Sequence, residues 1–137
     1  MTSSTTDITV GSKLPPVAAG TVTRTTLALF AGASGDHNPI HIDTDVARSA
    51  GLDDVFAHGM LSMAYLGRLL TNWVAPEAIR SYHVRFAAIT PVLAEPTATG
   101  TIVAIEDVNG ERRATVDLAV TLADGTVTLT GTAVVAL

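Results

Sequence analysis

The run GMLSMAYLGRLLTNW, Gly59 to Trp73, restricts the fold of this chain more than any other stretch. Read as a helix, it sets Met60, Leu61, Met63, Ala64, Tyr65, Leu66, Leu69 and Leu70 around almost its whole circumference. A helix that is apolar on all sides has to be surrounded by protein. Gly67 in its middle is expected to mark close backbone packing. With 137 residues the chain is the size of one domain with one core. The wrapping must therefore come from the rest of the same small unit.

The second half supplies it. In ATVDLAVTL, Ala114, Val116, Leu118, Val120 and Leu122 alternate with Thr115, Asp117, Ala119 and Thr121; in TVTLTGTAV, Val127, Leu129, Gly131 and Ala133 alternate with threonines. Period-two alternation marks strands with one face on a core. Asp124-Gly125 joins these two strands as a tight hairpin, and Asn109-Gly110 makes a similar turn after a strand in TATGTIVAIED. SYHVRFA is a further strand, on which His83 and Arg85 are expected to face outward or towards a subunit neighbour. In the first half, Thr23 caps a helix through TTLALFAGAS that stops at Gly35, with Leu27, Phe30 and Ala31 on one face. Thr44 is expected to cap a short helix running through DVARSA to Gly51. The only wrapping available in so small a chain is the antiparallel sheet. The expected class is α+β: a single hot-dog domain over residues 8–137, a curled antiparallel β-sheet wrapped around a central buried α-helix. Residues 1–7 read as a flexible polar tail with neither the basic nor the apolar region of a signal peptide.

No apolar run approaches the roughly 18 to 20 residues of a membrane span. The chain has no cysteine, so neither disulfides nor thiolate chemistry are expected, and a cytoplasmic protein is the default. A formal net charge of −5 with eight scattered Lys and Arg argues against a nucleic-acid or anionic-membrane surface. Apolar residues make up 47% and charged residues 15%, rich for a small monomer with its high surface-to-volume ratio. A buried subunit interface would account for the excess.

Against that background one polar knot stands out: FAGASGDHNPIHID, Phe30 to Asp43, gathers Asp36, His37, Asn38, His41 and Asp43 around Pro39. Pro39 biases Asn38 away from helical angles, so His37 and His41 do not share a helix face despite their spacing of four. That weakens a metal reading, since Asp36, Asp43 and His58 add no recognised ligand spacing. Ser34 lacks the G-x-S-x-G context of a nucleophile elbow, and no glycine-rich nucleotide loop occurs. Two readings of Asp36 and His41 remain. They are an acid–base pair aimed at one point from an irregular segment, or Asp36 caps the next turn and His41 bonds a backbone carbonyl.

FAGASGDHNPIHIDTDVA resembles the signature of the MaoC-like family of R-specific enoyl-CoA hydratases and (3R)-hydroxyacyl thioester dehydratases, with Asp36, Asn38, Pro39 and His41 on its defining positions and Ala47 as its trailing small residue. FAHGMLSM, Phe56 to Met63, resembles the family's second block. The resemblance implies that Asp36 and His41 share the water that adds across a trans-2-enoyl thioester and that Asn38 positions the pair or the water. It makes Gly59, at the start of the central helix, the oxyanion donor to the thioester carbonyl. Ser62, Met60 and Met63 are candidates for substrate contact; His58 is expected to tie the loop before the helix, and His37 sits at the motif's variable position. No metal or redox cofactor is implied, because coenzyme A or acyl carrier protein enters as part of the substrate. Single hot-dogs of this family pair, so a homodimer is expected. TNWV and YHVRF also resemble the catalytic subunits of actinobacterial fatty-acid-synthesis dehydratases, which would make the chain half of a heterodimer with a second hot-dog subunit.

Two other classes rank lower. A hot-dog thioesterase would carry an acidic residue on its central helix, and there is no Asp or Glu from Gly59 to Val74. A non-catalytic acyl-binding subunit would be expected to lack the Asp and His pair.

Overall fold

A computed structural model of the chain describes residues 7–137; positions 1–6 of the expected tail lie outside the described residues. The chain runs through strand β1 (Val17–Ala18), helices α1 (Arg24–Ser34), α2 (Thr44–Ser49) and α3 (Gly59–Thr71), and strands β2 (Ile79–Phe86), β3 (Thr97–Val108), β4 (Glu111–Thr121) and β5 (Val127–Ala136). The five strands form one sheet in the order β1-β3-β4-β5-β2, and every pairing is antiparallel. Both expected tight turns form: Asn109 and Gly110 take φ of 52° and 82°, and Gly125 takes 90°. Among the described residues no helix is long and apolar enough to cross a membrane.

The sheet curls over α3. Leu66, Leu69 and Leu70 on the helix pack with Ala98, Ile102, Ala114, Val116, Leu118, Val120, Leu129, Ala133 and Val135 on the strands, all buried. Burying one such leucine stabilises the fold by roughly 1.5–3 kcal/mol, so this contact dominates the core. Gly100 lets α3 approach the sheet, and Gly131 lets β5 lie close against β2 within it. A Cβ on Gly100 would lie 3.1 Å from Leu69 and from Val116, and one on Gly131 would lie 2.4 Å from the His83 carbonyl oxygen. A second cluster, Val22, Leu27, Ala47, Val55, Ala57 and Leu61, packs α1 and α2 beside the start of α3.

Four expectations need correction. The sheet covers only part of α3: Met60 is 56% exposed and Ala64 is also exposed, so the apolar circumference is not fully wrapped within one chain. Gly67 has no atom within 4 Å of where a Cβ would stand, so it marks no close approach. Asp43, not Thr44, caps α2 by accepting the Asp45 N–H at 2.9 Å, because the Thr44 hydroxyl donates to Asp54 at 2.8 Å. Val127 is exposed, since the β4–β5 register shifts between Val120 and Thr121 and turns Thr128 inward in its stead.

Candidate active site

The polar knot forms straight after α1. Thr23 accepts the Thr26 N–H at the start of that helix, and Gly35 ends it in the left-handed region with φ of 76°. The chain then turns on its own side chains. Ser34 Oγ accepts from Asp36 N at 3.2 Å, Asp36 Oδ1 from Asn38 N at 3.2 Å, and Asn38 Oδ1 from Ile40 N at 3.1 Å. Short Asx-type bonds of this kind fix an irregular backbone without a helix or a strand. Pro39 opens a single 3-10 turn, Pro39–His41, which delivers His41 to the interior.

His41 is 8% exposed. Its Nδ1 lies 2.8 Å from the carbonyl oxygen of Phe56. A carbonyl can only accept, so Nδ1 carries the proton and Nε2 presents a lone pair. That Nε2 faces Asp36 Oδ2 at 3.9 Å, and the Asp36 side chain is half exposed. Both readings of the pair therefore hold together: Asp36 caps through Oδ1 and His41 bonds a carbonyl through Nδ1, while Oδ2 and Nε2 are left turned towards each other. The gap between them is too long for a direct hydrogen bond and suits a shared small molecule.

His58 lies beneath this pair at 1% exposure. Its Nε2–H donates to the carbonyl oxygen of Asp36 at 3.0 Å, and its ring stacks on His41 with centroids 4.0 Å apart at 29°. Phe30 meets His58 edge-on at 4.9 Å, and Phe56 meets His41 edge-on at 4.8 Å. Asp36, His41 and His58 bring potential metal-ligating atoms within 4.8 Å of one another.

α3 begins at Gly59 without a side-chain cap, and the Leu61 N–H turns back to the His58 carbonyl, so the N–H groups of Gly59 and Met60 are the donors without intrahelical partners at its positive end. Gly59 and Ser62 line a cleft of about 320 Å³ with Phe56, Phe86, Ile89 and Leu129. Phe56 links cleft and pair, lining the one and anchoring His41 with its carbonyl. The structure thus brings Asp36, His41 and Asn38 together, with Gly59 and Ser62 on the adjoining cleft. Met60 points to solvent, and Met63 packs towards the core, its carbonyl accepting the Tyr82 hydroxyl. Burial pushes that phenol up to about 12. His37 is exposed, as are His83 and Arg85.

Two contributors escaped the sequence reading. Phe56 acts through a carbonyl, which no side-chain pattern reveals. Arg24 and Thr44 both donate to Asp54, whose Oδ1 also accepts the Val55 N–H at 2.8 Å. This clasp joins the starts of α1 and α2 to the segment that carries Phe56.

Residues 6–126 match the family model of the MaoC like domain. The chain is 36% identical over 107 residues to 3-hydroxyacyl-thioester dehydratase Z of Mycobacterium tuberculosis, covering 73% of this chain and 71% of that one. It is also 36% identical over 86 residues to the (R)-specific enoyl-CoA hydratase of Rhodospirillum rubrum, 61% of this chain and 58% of the relative. The solved (R)-hydratase from A. caviae superposes with a TM-score of 0.84 at 26% identity, over 96% of this chain and 98% of that one. With the hot-dog sheet in place and the family model spanning nearly its whole length, this chain belongs to the MaoC-like family of hydratases and dehydratases.

Proposed function

We propose that the chain interconverts trans-2-enoyl thioesters and (3R)-3-hydroxyacyl thioesters by adding or removing water, with Asp36 and His41 as the catalytic pair. The observation that carries this reading is the opposition of Asp36 Oδ2 and His41 Nε2 at 3.9 Å, with His41 Nδ1 held by Phe56. A water held by both groups would lie beside two proton acceptors. In the hydration direction its oxygen bonds to C3 as one of its protons passes to the pair. A proton passes from the pair to C2, so the pair ends in its starting state. Negative charge reaches the thioester oxygen as C3 is attacked, and the Gly59 N–H is the donor we assign to it. Asn38 holds the loop that aims the pair, through its bond to Ile40 N. As written, the reaction uses no metal and no redox cofactor.

Coenzyme A is the carrier we favour, in keeping with the name of the Rhodospirillum relative. A second reading, in which the chain acts on acyl carrier protein substrates beside a partner subunit, is compatible with the carrier-neutral word thioester in the name of the mycobacterial dehydratase. We propose a second hot-dog subunit in both versions, a copy of this chain in the first and a different partner chain in the second. Phe86 and Ile89, which line the cleft, are half exposed, as is Met60 beside Gly59. Apolar side chains grouped in this way mark a surface made to be covered.

The test is the loss of enoyl absorbance when purified protein meets crotonyl-CoA or a medium-chain trans-2-enoyl-CoA. Wild type should consume at least one, and Asp36→Asn should be slower by about a hundredfold or more while still folding. Equal rates for the two proteins would remove Asp36 from the chemistry.

A further inference from the structure

We infer that His58 is a positioning residue: it sets the separation and orientation of Asp36 and His41, and its backbone ties that pair to Gly59. The inference rests on the hydratase reading above and goes further by giving the pair a common support.

One imidazole contacts both partners. Its Nε2–H holds the main chain of Asp36 at 3.0 Å, and its face is the floor on which the His41 ring lies, 4.0 Å away. His41 is anchored on another side by the Phe56 carbonyl. The 3.9 Å gap between Oδ2 and Nε2 is therefore bounded from beneath by a single ring. Phe30 closes against the edge of that ring, so His58 cannot move away from the pair without displacing α1. His58 is also the N-cap residue of α3, covalently joined to Gly59. Any shift of the helix start is transmitted to Asp36 and His41 through the same residue.

A purely structural role would not call for histidine here. The His58 Nδ1 is buried without a hydrogen-bond partner among the described residues. Burying an unpaired polar atom destabilises a fold, and a phenylalanine would fill the space without that penalty. What histidine adds over phenylalanine is the Nε2–H directed at the Asp36 carbonyl. Its benefit must lie in where Asp36 is held, because the loop already has its own side-chain turns to fix its course.

The experiment compares kcat, KM and the thermal midpoint for wild type, His58→Phe and His58→Gln with the enoyl-CoA that wild type consumes. Phenylalanine keeps a ring under His41 but loses the donor, whereas glutamine can present an N–H near the Nε2 position and loses the ring. His58→Phe should leave the thermal midpoint and KM close to wild type and lower kcat by about tenfold to a hundredfold, the scale of a misplaced catalytic group. His58→Gln should recover part of that loss. Wild-type kcat in His58→Phe would overturn the inference. So would a fall in kcat that follows the thermal midpoint in both variants with no recovery by glutamine, which is the pattern of simple destabilisation. A folded wild type inactive on every enoyl thioester defeats the hydratase reading itself and this inference with it, a result recognisable before any variant is compared.

Discussion

The carbonyl oxygen of Phe56 lies 2.8 Å from Nδ1 of His41, and this one contact decides which nitrogen of the ring is free to work. A backbone acceptor cannot exchange roles with its donor, so the tautomer is set by the fold and not by the reaction.

The first prediction uses that contact. In His41→Asn the amide nitrogen can replace Nδ1 as donor to Phe56, while nothing replaces Nε2. The variant should fold and keep a thermal midpoint near that of wild type, since the buried anchor is preserved. Turnover on the enoyl thioester should fall by about a hundredfold to ten-thousandfold, the range for removing a general acid–base group. Circular dichroism and the absorbance assay read the two halves separately. Retained turnover would mean that His41 only anchors the loop.

Gly59 and Phe86 give the second. A Cβ on Gly59 would stand 2.8 Å from Cε1 of the Phe86 ring, far inside contact distance. The clash is with the far end of a side chain and not with backbone, so the ring can swing aside instead of breaking the fold. Both residues line the cleft, and a displaced ring would intrude on it. Gly59→Ala keeps the N–H at the helix start yet should raise KM several-fold, by an amount on the order of 1 kcal/mol of lost binding. Adding Phe86→Ala in the same chain should bring KM back towards wild type. If the double variant is no better than Gly59→Ala alone, the glycine is required for something other than room for the ring.

Much of this arrangement could be read from the sequence, and the exceptions have physical causes. The long strands and α3 announced themselves because each repeats its apolar pattern over many residues. β1 did not, because Val17 and Ala18 form a strand only by pairing with Ala98 and Thr97; two residues carry no period. The apolar circumference of α3 was legible, but a pattern of this kind does not distinguish surface the chain covers from surface it leaves exposed, and Met60 falls in the second group. Asp43 and Thr44 are both good caps side by side, and the choice was made by Asp54, ten residues beyond Thr44. At the site, residue type and spacing singled out Asp36 and His41 but left two readings of them open, and Asn38 entered only through the family resemblance. The features that orient them, the Phe56 carbonyl and the face of His58, are a backbone atom and a stacking contact, and neither leaves a signature in residue type.

The last prediction concerns acid. Arg80 and Arg113 hold the Glu111 carboxyl down to about 2, from an ordinary value of 4.5. Hydrogen bonds from Arg24, Val55 N–H and Thr44 hold Asp54 well below the usual carboxylate range. A carboxylate whose folded value is depressed contributes stability that is fully present above its unfolded value and is lost as pH falls towards the folded one. Both groups therefore contribute at neutral pH, and their contributions should fade together as pH drops from about 5 towards 2. Both pairs lie at the surface, so added salt should shrink the effect. Thermal unfolding followed across that pH window should show a falling midpoint for wild type and a shallower fall for Asp54→Asn, which has already lost its part at neutral pH. Asp54 also grips the segment leading to Phe56, so the same variant at pH 7 should lose turnover as the hold on His41 loosens. An Asp54→Asn protein with wild-type turnover and an unchanged acid profile would show that the clasp to Arg24 and Thr44 is ornamental.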